Sequence, residues 1–334
     1  MMYTTVADAA APLRQIIAGK HHILVISHVN PDGDAIGSVV GLGLALEQQG
    51  HQTTWLVPTP VPPFATRMPG AERVQSYSQD QRLPATVDLV ILVDTGDVQR
   101  ITSIWEEQQT YLRARPLIVI DHHVTNSGEG LCNLVDPLSS STCELIYGLL
   151  RAWDVEFTPE LATALLFGIT TDTQSFRTSN TTPSALRAAA DLLEQYADRE
   201  AIVRDVYHNT PFTYGKLLAL ALAEMQRAGD VVWTHVSQEM QRITGADDEA
   251  GSEVTDYLAG LGEFKASALF KERRDGTVKV SFRSNPPVDV ASVAQQWGGG
   301  GHRQAAGCTI MQPLSDAEPL VIAALLQAVE GAQR

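Results

Sequence analysis

Three short, unbroken apolar runs punctuate the first 120 positions: Ile23-Leu-Val-Ile26 within a strand expected over 22–27, Leu89-Val-Ile-Leu-Val93 and Pro116-Leu-Ile-Val-Ile120. Runs of that length without polar alternation predict strands buried on both faces of a parallel sheet. Residues 53–57 predict another strand. Elsewhere apolar positions recur at helical spacing. Residues 5–17 predict a first helix, and residues 35–49 align Ile36, Val39, Val40, Gly43, Leu44 and Leu46 before Gly50 stops the pattern. The segment 58–63 holds four prolines in six residues, which suits neither helix nor central strand and predicts a rigid surface connection.

Thr158-Pro159-Glu160 has the signature of a helix start, with a hydroxyl cap and proline in the first turn, and the apolar stretch behind it runs to Asp172. Thr182-Pro183 starts a further helix that continues to residue 193, and residues 201–228 read as helix with little strand potential. From Val231 the pattern changes. Strands are expected at 231–236, 266–270 and 277–283, and helices at 252–261 and 290–297. The fold class is α/β: a domain over 1–195 with a mostly parallel sheet, a helical connection over 196–228, and a smaller α/β domain over 229–334. A chain of 334 residues exceeds the usual reach of one hydrophobic core, so two domains are the expected solution.

With 44% hydrophobic and 19% charged residues, composition is that of an ordinary globular protein. No run of about eighteen apolar residues predicts a membrane span, and the first residues lack the basic and apolar blocks of a signal peptide. A formal charge of −15 disfavours tight binding along a long polyanion such as duplex nucleic acid, while short or mononucleotide ligands stay open. Cys132, Cys143 and Cys308 are too few and too scattered for a disulfide framework or a Cys-based zinc site, which predicts reduced, mostly buried thiols in a cytosolic protein.

The candidate chemistry sits where the apolar runs end. The first leads into His28-Val-Asn-Pro-Asp-Gly-Asp34, the second into Asp94-Thr-Gly-Asp97, the third into Asp121-His-His123. His28, Asp32 and Asp34 supply one nitrogen and two carboxylates within seven residues, on a backbone bent by Pro31 and Gly33. That donor set suits Mn²⁺ or Mg²⁺ before Zn²⁺. Taken singly, Asp94 and Asp172 read as well as turn or helix caps. Three strand ends with the same ligand chemistry argue for one crevice at the C-terminal edge of a parallel sheet. Further on, Gly298-Gly-Gly-Gly301 precedes His302, and residues 264–303 carry seven basic residues against three acidic ones. Glycines let backbone N–H groups approach phosphate oxygens closely.

Together with Gly168-Ile-Thr-Thr-Asp-Thr173, Val280-Ser-Phe-Arg-Ser284 and Gly298-Gly-Gly-Gly-His-Arg-Gln-Ala-Ala-Gly307, these motifs resemble, in order and over nearly the whole chain, the DHH phosphoesterases with the DHH-associated C-terminal domain, most closely the nanoRNase/pAp-phosphatase branch. The resemblance implies an active site in the cleft between the two domains. It implies two divalent cations, Mn²⁺ first with Mg²⁺ or Co²⁺ as alternatives, one held by His28, Asp32 and Asp94 and the other by Asp34, Asp94, His122 and Asp172. Asp94 would bridge them, and His123, with Asp121 and Asp94 in the same reacting set, would lie near the scissile phosphate. Arg283, Ser284, Gly299, Gly300, Gly301 and His302 would hold an adenine nucleotide or short oligonucleotide. The implied reaction is hydrolysis of short RNA oligonucleotides and of 3′-phosphoadenosine 5′-phosphate (pAp) by metal-activated water, in a cytoplasmic enzyme for which a homodimer is open. Hydrolysis of pApA or cyclic dinucleotides, or nucleotide sensing without turnover, are the alternatives. Gln174 and Cys308 depart from the family pattern beside the site and leave the choice of substrate open.

Overall fold

The apolar runs become the centre of a parallel sheet. The computed structural model describes residues 1–334 except Asn209, Glu249, Gln333, Arg334 and the side chain of His302, and contacts divide the chain into two units, Met1–Asn209 and Thr210–Arg334. In the first unit, β1 (Met2–Tyr3), β2 (His22–Ile26), β3 (Gln52–Val57), β4 (Gln75–Ser76), β5 (Leu89–Val93), β6 (Leu117–Asp121) and β7 (Cys132–Val135) are all parallel, in the order β1-β7-β6-β5-β2-β3-β4. The chain builds outward from β2 to one side through β3 and β4, then returns to the other through β5, β6 and β7. The C-terminal ends of β2 and β5 therefore flank the point where strand order reverses, where open α/β sheets bind ligands.

The unbroken runs are explained by two cores. Ile23, Val25, Leu89, Ile91 and Val93 pack on one face with α1 (Val6–Ile17), α2 (Gly33–Gln48) and helices from later in the unit, while Leu24, Ile26, Val90 and Leu92 pack on the other with Ile104 and Leu112 of α3 (Thr102–Arg113). Each central strand is thus apolar on both faces. The first unit is completed by α4 (Thr142–Ala152), α5 (Pro159–Asp172), α6 (Pro183–Glu194) and α7 (Arg199–Tyr207).

Two expectations change. The second helix starts at Gly33 rather than 35, because the Asp32 carboxylate accepts the Ala35 N–H at 3.0 Å and caps it, which puts Asp34 in the first helical turn. The single helix expected over 201–228 is instead α7, then α8 (Phe212–Ala223), then the strand β8 (Gln226–Ala228). Pro211 caps α8 with an extended backbone, which cannot continue a helix from α7.

The second unit has a six-stranded mixed sheet. With β9 (Val231–Val236), α9 (Gln238–Thr244), α10 (Ser252–Ala259), β10 (Ala266–Glu272), β11 (Val278–Ser284), α11 (Val290–Gln295), β12 (Gly300–His302), β13 (Ala305–Ile310) and α12 (Leu314–Gly331), its order is β12-β13-β11-β10-β9-β8, and only β9 and β10 are parallel. One face carries Phe270, Val280 and Phe282 against α11 and α12; the other carries Val232 and Leu269 against α8 and α10. All three cysteines are buried and free. Among the described residues no helix is long and apolar enough to cross a membrane.

Phe282 is fully buried between two of the outward-facing polar residues of β11, Ser281 and Arg283, so its packing sets their position. Phe282→Ala is expected to cost about 3–5 kcal/mol, as measured by urea denaturation. A loss below about 1 kcal/mol would show that this core does not hold the strand.

Candidate metal centre

The strand ends converge as the parallel sheet requires. His28 follows β2, Asp94 follows β5 in a left-handed conformation (φ 54°), and Asp121 closes β6. Such a backbone is strained for an aspartate and turns its side chain back toward β2 and β6. His28 Nε2 lies 3.6 Å from Asp94 Oδ2 and 3.9 Å from Asp32 Oδ1. His122 Nε2 lies 3.6 Å from Asp94 Oδ1 and 3.7 Å from Asp172 Oδ2. Three donor groups result, each with ligand atoms within 4.8 Å of one another: His28, Asp32 and Asp94; Asp94, His122 and His123; Asp34, His122 and Asp172. All six residues expected as ligands are brought together, and Asp94 belongs to two groups.

Helix packing brings in the two carboxylates that are remote in sequence. Asp34, in the first turn of α2, and Asp172, at the end of α5, meet because these helices pack very closely. A Cβ on Gly168 would lie 2.2 Å from Cys143 Sγ and 2.7 Å from Asp34 Oδ1, so only glycine fits. Asp34 is then held by the N-terminus of α4, whose Thr142 and Cys143 N–H groups donate to Oδ2 at 2.7 Å and Oδ1 at 2.9 Å. The Thr142 hydroxyl donates to Asp94 Oδ1 at 3.1 Å. Ser141-Thr-Cys-Glu144 is a capping-box spacing, and the Ser141 hydroxyl accepts the Glu144 N–H at 3.1 Å. The sequence reading above omits α4, although that spacing was a signal for it.

The electrostatics call for cations. Burial pushes the Asp34 carboxyl well above the usual carboxylate range, and the charges of Asp94, Asp172 and Asp32 push the same way. Burial also lifts Asp172 to about 6, against the opposing pull of His122. Burial alone would raise Asp94, but the adjacent His28 ring and the charges of His122 and His123 leave it below the usual range. Even so, Asp94 Oδ2 is buried with no hydrogen-bond partner among the described residues. An orphaned carboxylate oxygen within a ring of imidazole and carboxylate donors fits a divalent cation.

The remaining residues orient the donors. His28 Nδ1–H donates to the Val29 carbonyl at 2.8 Å, which leaves the Nε2 lone pair free to ligate a cation beside Asp94. Asp121 belongs to none of the donor groups. It accepts from the N–H groups of Gly96 (2.7 Å), His122 (2.8 Å) and His123 (3.2 Å), from Asn126 Nδ2 (2.6 Å) and from His123 Nδ1 (2.8 Å). His123 Nε2 is thereby set free, and although burial lowers the pKa of this ring, the Asp121 hydrogen bond and charge raise it overall. Arg100 was missed by the sequence reading. Its guanidinium lies 3.6 Å from where a Cβ on Gly96 would stand, its charge reaches His123, and among the described residues no carboxylate pairs with it.

The residues expected to bind substrate lie in the second unit. Arg283 and Ser284 close β11; the Arg283 Nη1 donates to the Phe282 carbonyl at 2.9 Å, and the Ser284 hydroxyl is taken by the Val288 carbonyl at 2.9 Å. The Gly299 N–H is committed to the Ala294 carbonyl at 3.0 Å, whereas Gly300, Gly301 and His302 form the edge strand β12. Gly301 has φ 141°, and a Cβ there would strike the Ala305 carbonyl at 2.5 Å, so glycine is needed for the hairpin itself. Register lines His302, Ala305 and Arg283 across three strands. The His302 side chain lies outside the described residues.

With this geometry in hand, comparison with known proteins settles kinship. Residues 22–169 match the DHH family, N-terminal domain, and residues 238–332 match the DHHA1 domain. The bifunctional oligoribonuclease and PAP phosphatase NrnA of Thermus thermophilus is 35% identical over 291 residues, covering 86% of this chain and 84% of that protein. The chain belongs to the DHH family. As a DHH phosphoesterase it carries the Asp-His-His motif at Asp121, His122 and His123. The cyclic-di-AMP phosphodiesterase GdpP of Geobacillus thermodenitrificans is 31% identical over 87% of the chain, but the chain spans only 45% of that protein. In fold, this DHH protein matches an exopolyphosphatase-related protein of Bacteroides fragilis with a TM-score of 0.90 at 24% identity, over 98% of each chain.

Thr142 offers a test of the site that leaves every donor in place. Thr142→Val keeps the N–H on Asp34 but removes the hydroxyl from Asp94, and Mn²⁺ affinity measured by calorimetry is expected to fall about tenfold, whereas Thr142→Ser should keep it. Equal affinity in wild type and the valine variant would show that this hydroxyl does not position Asp94.

Proposed function

We propose that the protein hydrolyses short oligoribonucleotides and pAp, using two divalent cations, Mn²⁺ first, held by His28, Asp32 and Asp94 and by Asp34, Asp94, His122 and Asp172. The observation that carries the reading is Asp94, a buried carboxylate shared by two donor groups with one oxygen left without a hydrogen bond. The names of the relatives in the NrnA group supply the substrate classes. When bound, such cations supply an activated water at neutral pH and offset the charge that develops on the phosphate.

The chain's own residues supply position and proton control. Asp121 holds His123 by Nδ1, so that Nε2 faces the reacting phosphate or its leaving oxygen. Arg100 lies beside that ring and offers a planar fork to non-bridging phosphate oxygens. Arg283 and the β12 edge bind the rest of the nucleotide. The acidic chain as a whole repels a long strand, so activity is directed to short ones.

Asp94→Ala is expected to abolish turnover and to release both cations from a folded protein, as read by elemental mass spectrometry. Two Mn²⁺ retained per chain would refute the bridging role. Among substrates, kcat/KM is expected to be high for pAp and RNAs of a few nucleotides and to fall with strand length. Equal or faster cleavage of a 40-mer would contradict this, and exclusive turnover of pApA would favour the reading suggested by the likeness to GdpP.

A further inference from the structure

Asp172 is the donor of the metal centre that its surroundings hold least. It ends α5, and 25% of its side chain is exposed against 15% for His122, while Asp34 of the same donor group is buried and fixed by two N–H groups. Among the described residues its carboxylate accepts one hydrogen bond, from Asn180 Nδ2 to Oδ2 at 3.4 Å. The chain turns back sharply to make that contact. Gln174, Ser175 and Phe176 all have left-handed backbones, with φ of 46°, 59° and 64°, a region that residues with a side chain usually enter singly.

Packing and hydrogen bonds hold this turn. Phe176 packs against the first core, its N–H donates to the Thr173 hydroxyl at 3.0 Å, and the Arg177 and Thr178 N–H groups both donate to the Thr173 carbonyl, at 2.9 and 3.2 Å. The Asn180 amide then has one orientation that satisfies it. The Thr178 hydroxyl donates to Oδ1, and Nδ2 faces two acceptors, the Ser140 carbonyl at 2.9 Å and Asp172; flipped, the amide oxygen would face both. Ser140 is itself tied down, its N–H donating to Glu144 at 2.8 Å, and its loop runs on into Thr142, which donates to both Asp34 and Asp94. Asn180 therefore joins the segment carrying Asp172 to the segment that fixes the other two carboxylates. Helix capping does not explain it, since α6 is capped by Thr182, whose hydroxyl accepts the Ala185 N–H at 3.1 Å.

We infer that Asn180 is a positioning residue for one cation of the pair: by bridging Asp172 and the Ser140 carbonyl it sets where the Asp172 carboxylate stands relative to Asp34 and His122. The inference rests on the reading that two cations are held at this centre. Asn180 donates to none of His28, Asp32 and Asp94, and Asp172 belongs to only one of the donor groups. The loss of Asn180 therefore falls on one cation and spares the other. A partner that orients a ligand without touching the metal typically alters affinity by about tenfold to a hundredfold, and a bond as long as 3.4 Å belongs at the lower end.

The test titrates wild type, Asn180→Ala, Thr178→Val and Thr178→Ser with Mn²⁺ in a calorimeter, and counts retained Mn²⁺ by elemental mass spectrometry after gel filtration. Wild type is expected to bind two ions. Asn180→Ala should weaken the binding of one of them about tenfold and leave the other as it was, so that retained metal falls from two ions per chain toward one. Thr178→Val keeps the amide but frees it to flip, and should weaken the same ion to a smaller extent; Thr178→Ser, which keeps the hydroxyl, should bind as wild type does. Both ions weakened alike, as a general loosening of the fold would give, or neither weakened, overturns the positioning role while the two-cation reading stands. If the alanine variant does not fold, the two Thr178 variants decide by the same criterion. A wild type that binds fewer than two Mn²⁺ overturns the two-cation reading and the inference with it.

Discussion

Negative charge packed into a nearly dry interior is the constraint around which the first unit is built. Asp34 and Asp94 are each 1% exposed, and beyond burial itself the charges of Asp94, Asp172 and Asp32 raise the Asp34 carboxyl. Like charges at such separations in a low-dielectric setting are costly, and three imidazoles and an N-terminal helix turn offset only part of that cost. The carboxylate oxygen left without a partner marks what the protein alone does not balance. A cluster left unbalanced in this way fits divalent cations, which marks it as a site of function more than of stability.

The rest of the first unit serves that convergence. The strand-order reversal sets His28 and Asp94 on neighbouring strands, the glycine contact at Gly168 lets α2 and α5 approach, and the capping box at Ser141 aims two N–H groups of α4 at Asp34. Asp121 accepts from the loop carrying His122 and His123 and from Gly96 in the loop after β5, and so ties the two loops together. Donors from four separate stretches of the chain, 28–34, 94, 122–123 and 172, are thus brought together, Asp34 by backbone N–H groups and Asp94 by the Thr142 hydroxyl, the kind of preorganisation that phosphate chemistry relies on.

The second unit uses its sheet differently. One face is a conventional apolar core, and the other is only half covered, which leaves β11 with alternate polar residues next to a strand of alanine, glycine and threonine. The period of two along 278–284 therefore alternates core residues with outward polar ones. The glycine run is partly structural in the same economy. Gly301 is required by the close hairpin with β13, and Gly299 answers a helix carbonyl, so only the β12 edge remains turned outward.

Much of this was legible in the residues themselves. Apolar runs identified the central strands, because a strand buried on both faces has no polar period; the donors at their ends followed from chain order; and the ordered motifs identified the family. What the sequence could not determine were contacts that depend on how helices settle against one another. That Asp172 reaches Asp34 depends on the separation of α2 and α5, that Thr142 supports both Asp34 and Asp94 depends on where α4 begins in space, and that Arg100 stands by His123 depends on the turn after Asp97. The break between α7 and α8 was signalled by Pro211, yet apolar content outweighed it in the reading. Local sequence determines which side chains a segment can offer, because propensity and period act over a few residues. Which of them meet is decided by packing between segments more than a hundred residues apart, such as Asp34 and Thr142, and that information exists only in the tertiary structure.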